Sequence, residues 1–185
     1  MILNKECKTI NAFSILELIF VITIISLLSY IMIPNKNTDS LNIVTNKIII
    51  YLKQTRLQAF INDKFSVDDT LWHKQRWTLK FFRCKKSVGG LYYAIYSDTN
   101  KTGHPSSSES LKDPLTNKNI YSSNSCSLNS NNSKYVLLTK EYDIVDVNLS
   151  CNNTTSLGQL SFGSDGRVYS KLSNKNNEFY EYEIK

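Results

Sequence analysis

Two histidines, six glycines, three prolines and four cysteines are few for a chain of 185 residues, and no histidine or cysteine falls in a catalytic or metal-binding motif. His73 and His104 stand apart, with no acid spaced to make a catalytic triad or a metal cluster. Cys7, Cys84, Cys126 and Cys151 form no CxxC pair, which argues against zinc-finger and thioredoxin-like readings. The glycines do not assemble a phosphate-cradling loop. Nothing in this inventory points to an enzyme. Acids are also the minority charge, 16 against 22 lysines and arginines, giving a net charge of +6 and a pI near 9.0. Such a balance permits binding to nucleic acid or to an anionic surface without requiring either. The length suits one domain with an extension.

What the chain does have is one long apolar run. Phe13 to Ile33 is 21 residues long, carries a single charge at Glu17, and is closed by Pro34. As a helix it would extend about 31 Å, the thickness of a bilayer core. The segment that follows, "SYIMIPNKN", has no small-residue cleavage pattern, so the run reads as retained rather than as a removed signal peptide. With Lys5 and Lys8 before it, an inserted run would leave the N-terminus in the cytoplasm and the remainder outside. Glu17 is out of place in an ordinary anchor: a carboxylate costs roughly 2.5 kcal/mol or more near the bilayer centre and less at one turn from Phe13, where it still calls for a partner. An α-amino group at Phe13, exposed by cutting the chain after Ala12, would supply a partner from a neighbouring subunit.

Residues 38–62 read as an amphipathic helix. Leu41, Val44, Ile48, Tyr51, Leu52, Thr55 and Ala59 recur at helical spacing, and Asp39 or Ser40 can cap its start. "RWTLKFFRCKK" and "GGLYYAIYSD" predict a β-hairpin over 76–97 turning at Gly89 and Gly90. Residues 98–134 read as loop, and "KYVLLTKEYDIVDVNLSC" as one or two strands. A second hairpin is expected from strand 157–162, a turn at Gly163–Gly166 and strand 167–172, with "EFYEYEIK" as a last strand. One helical region followed by antiparallel strands makes the fold class α+β.

The stretch Ala12, Phe13, Ser14, Ile15, Leu16, Glu17 resembles the class III leader of type IV pilins and pseudopilins. In that family a prepilin peptidase cuts before a Phe, which is then N-methylated, and a Glu four residues later serves assembly. Pro34 stands at the spacing of the family's helix-kinking proline. Ala12 departs from the usual Gly before the cut. "LKQTRLQAFINDKFSV" and "LSFGSDGRVYS" further resemble the helix end and C-terminal hairpin of GspH/FimT-type minor pseudopilins. The resemblance implies a leader at 1–12, an N-terminal pilin helix at 13–62 (13–33 in membrane or filament, 38–62 amphipathic) and a globular β-rich periplasmic domain at 63–185. It implies a single-pass inner-membrane protein that joins a hetero-oligomeric filament, either a type II secretion-like pseudopilus or a type IV pilus. Some FimT-type pilins bind DNA in competence through a Gly-Arg-x-Arg motif. Gly166 and Arg167 match it, Tyr169 replaces the second Arg, and Lys171 and Lys175 lie near enough to add phosphate contacts.

Three smaller patterns remain. Cys126 and Cys151 both sit in Ser/Asn-rich stretches and are the first choice for a disulfide. Asp98, Asn100, Thr102 and Glu109, with Gly103 between, match the spacing of a calcium loop, although Thr102 and Pro105 depart from it; a polar surface loop is the alternative. Asp98-x-Asn100-x-Thr102 and Asp146-x-Asn148-x-Ser150 also fit an extended N-glycosylation sequon.

Overall fold

The computed structural model describes residues 14–32, 36–149, 157–169 and 172. The chain divides into two compact units, Met1–Lys36 and Asn37–Lys185. The first contains helix α1, Ile15–Met32. The second contains helix α2, Lys36–Ile61, of which only Lys36 falls in the first unit, and strands β1, Trp77–Arg83, and β2, Leu91–Tyr96. Helix α3, Leu138–Tyr142, and strands β3, Gln159–Phe162, and β4, Val168–Tyr169, follow. The strands form one antiparallel sheet in the order β2-β1-β3-β4. The class is therefore α+β.

In the first unit the expected helix 13–33 is present over Ile15–Met32, 18 residues. Phe13, Ile33 and Pro34 lie outside the described residues. Among the described residues no helix is long and apolar enough to cross a membrane.

In the second unit α2 lays one face on the sheet. Val44, Tyr51, Thr55 and Ala59 are buried, and Ile48 and Leu52 pack beside them. Leu41, expected on that face, is instead exposed, because the contact begins one turn later at Val44. Opposite the helix, β1 and β2 supply Leu79, Phe81, Tyr93 and Ile95, with Phe81 paired to Tyr93 and Leu79 to Ile95. Each such side chain contributes roughly 1.5–3 kcal/mol on burial. Strand β2 is buried on both faces, which suits its nearly continuous apolar sequence. Its outer edge is covered by the following loop: Leu111 N–H donates to Ile95 O, and Ile95 N–H to Ile120 O. The edge is thereby closed to other strands.

A polar clamp ties α2 to that loop. The Tyr51 hydroxyl donates to Asp113 at 3.0 Å, and Leu115 N–H donates to the same carboxylate at 2.9 Å. Burial alone pushes the Asp113 carboxyl upward. The hydrogen bonds from Leu115, Tyr51 and Thr116, with the nearby Lys47 charge, outweigh it and hold the group below its usual range.

Two expectations need correction. The run "KYVLLTKEY" forms a short 3-10 turn, Lys134–Val136, and then α3, not strands. Leu138 and Tyr142, about one helical turn apart, are both buried. Thr139 accepts the Leu91 N–H and donates to Ile144 O, and Asp143 ends the helix in the left-handed conformation. Cys126 pairs with Cys84, not Cys151. Strand β1 ends just before Cys84, and Lys85 N–H donates to Asn124 O, which brings the Cys126 loop against the hairpin turn. Their Cα atoms are 5.8 Å apart, within disulfide reach. Cys151 lies outside the described residues, as does "EFYEYEIK".

The disulfide closes a loop across a sequence separation of 42. Replacing both cysteines, Cys84→Ser with Cys126→Ser, should cost about 2–4 kcal/mol. Urea unfolding of the oxidised protein and the double variant would show this; equal midpoints would contradict it.

Candidate functional site

The start of α1 is built from Ser14-Ile15-Leu16-Glu17. The Ser14 hydroxyl accepts the Glu17 N–H at 3.2 Å, so Ser14 caps the helix. Glu17 lies in the first turn, where its charge meets the positive end of the helix dipole. Serine followed three residues later by glutamate is also the capping-box pattern. The sequence reading assigned Glu17 to assembly alone; the geometry gives it a local helix-starting role as well.

Every described side chain from Ser14 to Tyr30 is exposed, with Ile15 at 79% and Leu27 at 67%. The helix is apolar around its full circumference. Its two inner hydroxyls turn back on its own backbone: Thr23 donates to Phe20 O and Ser26 to Ile22 O, each at 2.8 Å. Those hydroxyls therefore need no water. Ala12, Phe13 and Pro34, the other residues of the processing and assembly motif, lie outside the described residues.

The second candidate is the β3–β4 hairpin. Gly163 N–H donates to Arg167 O and Gly166 N–H to Gly163 O, closing the turn. Asp165 organises it. Its carboxylate accepts the Arg167 N–H at 3.0 Å and the Tyr169 hydroxyl at 3.2 Å, and it pairs with Arg167 Nε at 3.5 Å. Gly166 has φ of +76°, and a Cβ there would come within 2.7 Å of Phe60 Cζ. Glycine is needed because the turn packs directly on the end of α2.

Tyr169, at the position of the second Arg of the DNA-binding motif, is buried and serves as a platform. The Arg76 guanidinium lies 3.6 Å from its ring centroid and 4.8 Å from that of Trp72. Burial pushes Arg76 below its ordinary value, against the opposing influence of Tyr169, Asp165 and Asp63. Arg76 and Trp72 were not singled out in the sequence; the aromatic-basic string "WHKQRW" was the available signal. Lys171 and Lys175 lie outside the described residues. Among the described residues Arg167 is joined to Asp165, an arrangement that stabilises the turn.

The calcium spacing encodes a self-closed loop. Asp98 accepts the Thr102 and Gly103 N–H groups, at 3.1 and 2.7 Å. Asn100 Oδ1 also accepts the Thr102 N–H. Glu109 accepts from Thr99, Asn100 N–H and both the hydroxyl and the N–H of Ser106. Both of its oxygens face protein donors. Among the described residues no group of three or more His, Cys, Asp or Glu side chains is placed to hold a metal. Of the two sequons, Asp98 is buried within this loop, whereas Asp146 is exposed and lies 3.8 Å from Arg83. His73 is buried and its imidazole is pushed down by burial, then by Arg76 and Lys74. His104 lies in the same polar loop, its carbonyl accepting from Thr102.

Compared with known proteins, the chain matches no family model, no curated protein and no solved structure.

If Arg76 is held by its two rings, Arg76→Lys should destabilise the second unit by about 1–2 kcal/mol, because lysine cannot stack a planar group between them. Arg167→Ala, on the exposed turn, should change stability by less than about 0.5 kcal/mol. Urea denaturation of both variants measures the contrast, and equal effects would contradict it.

Proposed function

We propose that this chain is a minor pilin-like subunit of the GspH/FimT type. A prepilin peptidase would cut it between Ala12 and Phe13, and the mature chain would then leave the inner membrane for a filament or pseudopilus. The observation that carries this reading is α1, an apolar helix with every described side chain from Ser14 to Tyr30 exposed. A helix that is hydrophobic all round is stable only when lipid or other helices cover it. With Phe13 and Ile33 the apolar run reaches 21 residues, about 31 Å, enough for a bilayer before assembly and for a helix-packed core afterwards. The Cys84–Cys126 disulfide fits a domain that folds in an oxidising compartment.

The mechanism is assembly rather than catalysis. In the membrane, Glu17 sits one turn from the end of the apolar run, close to the interface. In the filament its carboxylate would accept the methylated amino group of a neighbour's Phe13 and set the axial register. The second unit would face outward, toward other subunits or cargo. Between secretion and DNA uptake, the Arg167–Asp165 pair and the buried Tyr169 favour secretion, because the motif's second cation is replaced by a structural ring.

Glu17→Gln tests this reading. Glutamine leaves the backbone bond from residue 17 N–H to the Ser14 hydroxyl in place and removes the charge. Incorporation into sheared filaments should fall about tenfold or more, since an ammonium left unpaired in apolar surroundings costs several kcal/mol. Normal incorporation would reduce Glu17 to its capping role and contradict the proposed pairing.

A further inference from the structure

Helix α2 carries a second apolar stripe that the sheet does not use. Ile43, Ile50, Leu57 and Ile61 are 57%, 62%, 57% and 71% exposed. At 100° per residue they fall within about 40° of arc, roughly 130° from the face that contacts the sheet. The first three recur every seven residues, the repeat of a helix-on-helix seam. Asn46 and Lys53 follow each isoleucine by three residues, the position that shares such a seam.

We infer that this stripe is a docking surface for a helix of a different chain, one whose apolar seam is flanked by carboxylates. This rests on the subunit reading above and adds the partner's chemistry to it. Charge decides the occupant. Residues 40–61 hold Lys47, Lys53 and Arg56 and no acid. Lys47 is turned onto its own domain, its Nζ 3.5 Å from the Tyr135 ring centroid. Lys53 and Arg56 are exposed. A second copy packed in parallel would place Lys53 beside Lys53. That seam encloses cations without a counter-charge, which is costly. An acid-flanked helix removes that cost and fixes the register through Lys53.

The test uses the full chain in its native envelope, with benzoylphenylalanine in place of Ile50 or Leu57 and, as a control, in place of the exposed turn residue Lys86. Light-induced crosslinks are mapped by peptide mass spectrometry. The inference predicts that positions 50 and 57 both crosslink to one helix of another chain, with Asp or Glu beside its apolar seam. Lys53→Glu should lower that yield about tenfold through like-charge repulsion. Crosslinks to a second copy of this chain, to lipid alone, or at no more than the control level would overturn it. The two readings separate in the same samples. Filaments that contain the chain without these crosslinks sink the docking surface alone. Crosslinks in a chain absent from filaments sink the filament reading alone.

Discussion

Apolar surface must be covered, and the two units of this chain meet that constraint in opposite ways. The second unit covers its own along the sheet-facing side of α2. Val44, Tyr51 and Ala59 of α2 are sealed by Leu79, Phe81, Tyr93, Trp77 and Phe162 of the sheet. In the first unit every described side chain from Ser14 to Tyr30 is uncovered. From Ile15 onward α1 presents isoleucine, leucine, valine and phenylalanine on all sides. Leaving that surface in water costs free energy, and this cost is the ground for proposing that the chain is a component of something larger. On this view the function is a consequence of where burial is incomplete, and no catalytic group is needed to account for it.

Polar groups in the second unit follow the same logic at shorter range. Asp113 fastens α2 to the loop that closes the outer edge of β2. Asp165 fastens the β3–β4 turn, and that turn lies against Phe60 at the end of α2. Asp98 and Glu109 close their own loop. Each carboxylate that looked like a ligand or a neighbour of a binding motif is satisfied by donors close to it in the chain or the fold. These carboxylates draw their donors from backbone N–H groups and side chains alike.

The amphipathic helix, both hairpins and the loop between them were legible because periodicity and glycine placement are local signals. Residues 38–62 against Lys36–Ile61 and residues 76–97 against the β1–β2 pair differ only at their ends. The failures share a cause in long-range packing. "KYVLLTKEY" is a short apolar run that suits either strand or helix, and the choice falls to Thr139, which reaches across to the Leu91 N–H. The disulfide partner of Cys126 depends on how the loop at Asn124 meets the β1–β2 turn, a contact 39 residues distant in the sequence, from Lys85 to Asn124. Tyr169 read as a defect in a DNA motif because its role, a ring beneath Arg76, exists only once the hairpin is folded against the Trp72 turn. The candidate site was legible in kind at Glu17, whose isolation in an apolar run is a sequence fact. Its capping partnership with Ser14 needed the observed start of α1.

The central claim is that α1 belongs to a processed, assembling subunit. Its most direct test is the mass of the N-terminal peptide of the chain isolated from its own cells. The account predicts a mature protein that starts at Phe13 and carries one methyl group on its amino nitrogen. A chain that still starts at Met1, with Ala12 joined to Phe13, would contradict it and leave the apolar helix as a plain anchor.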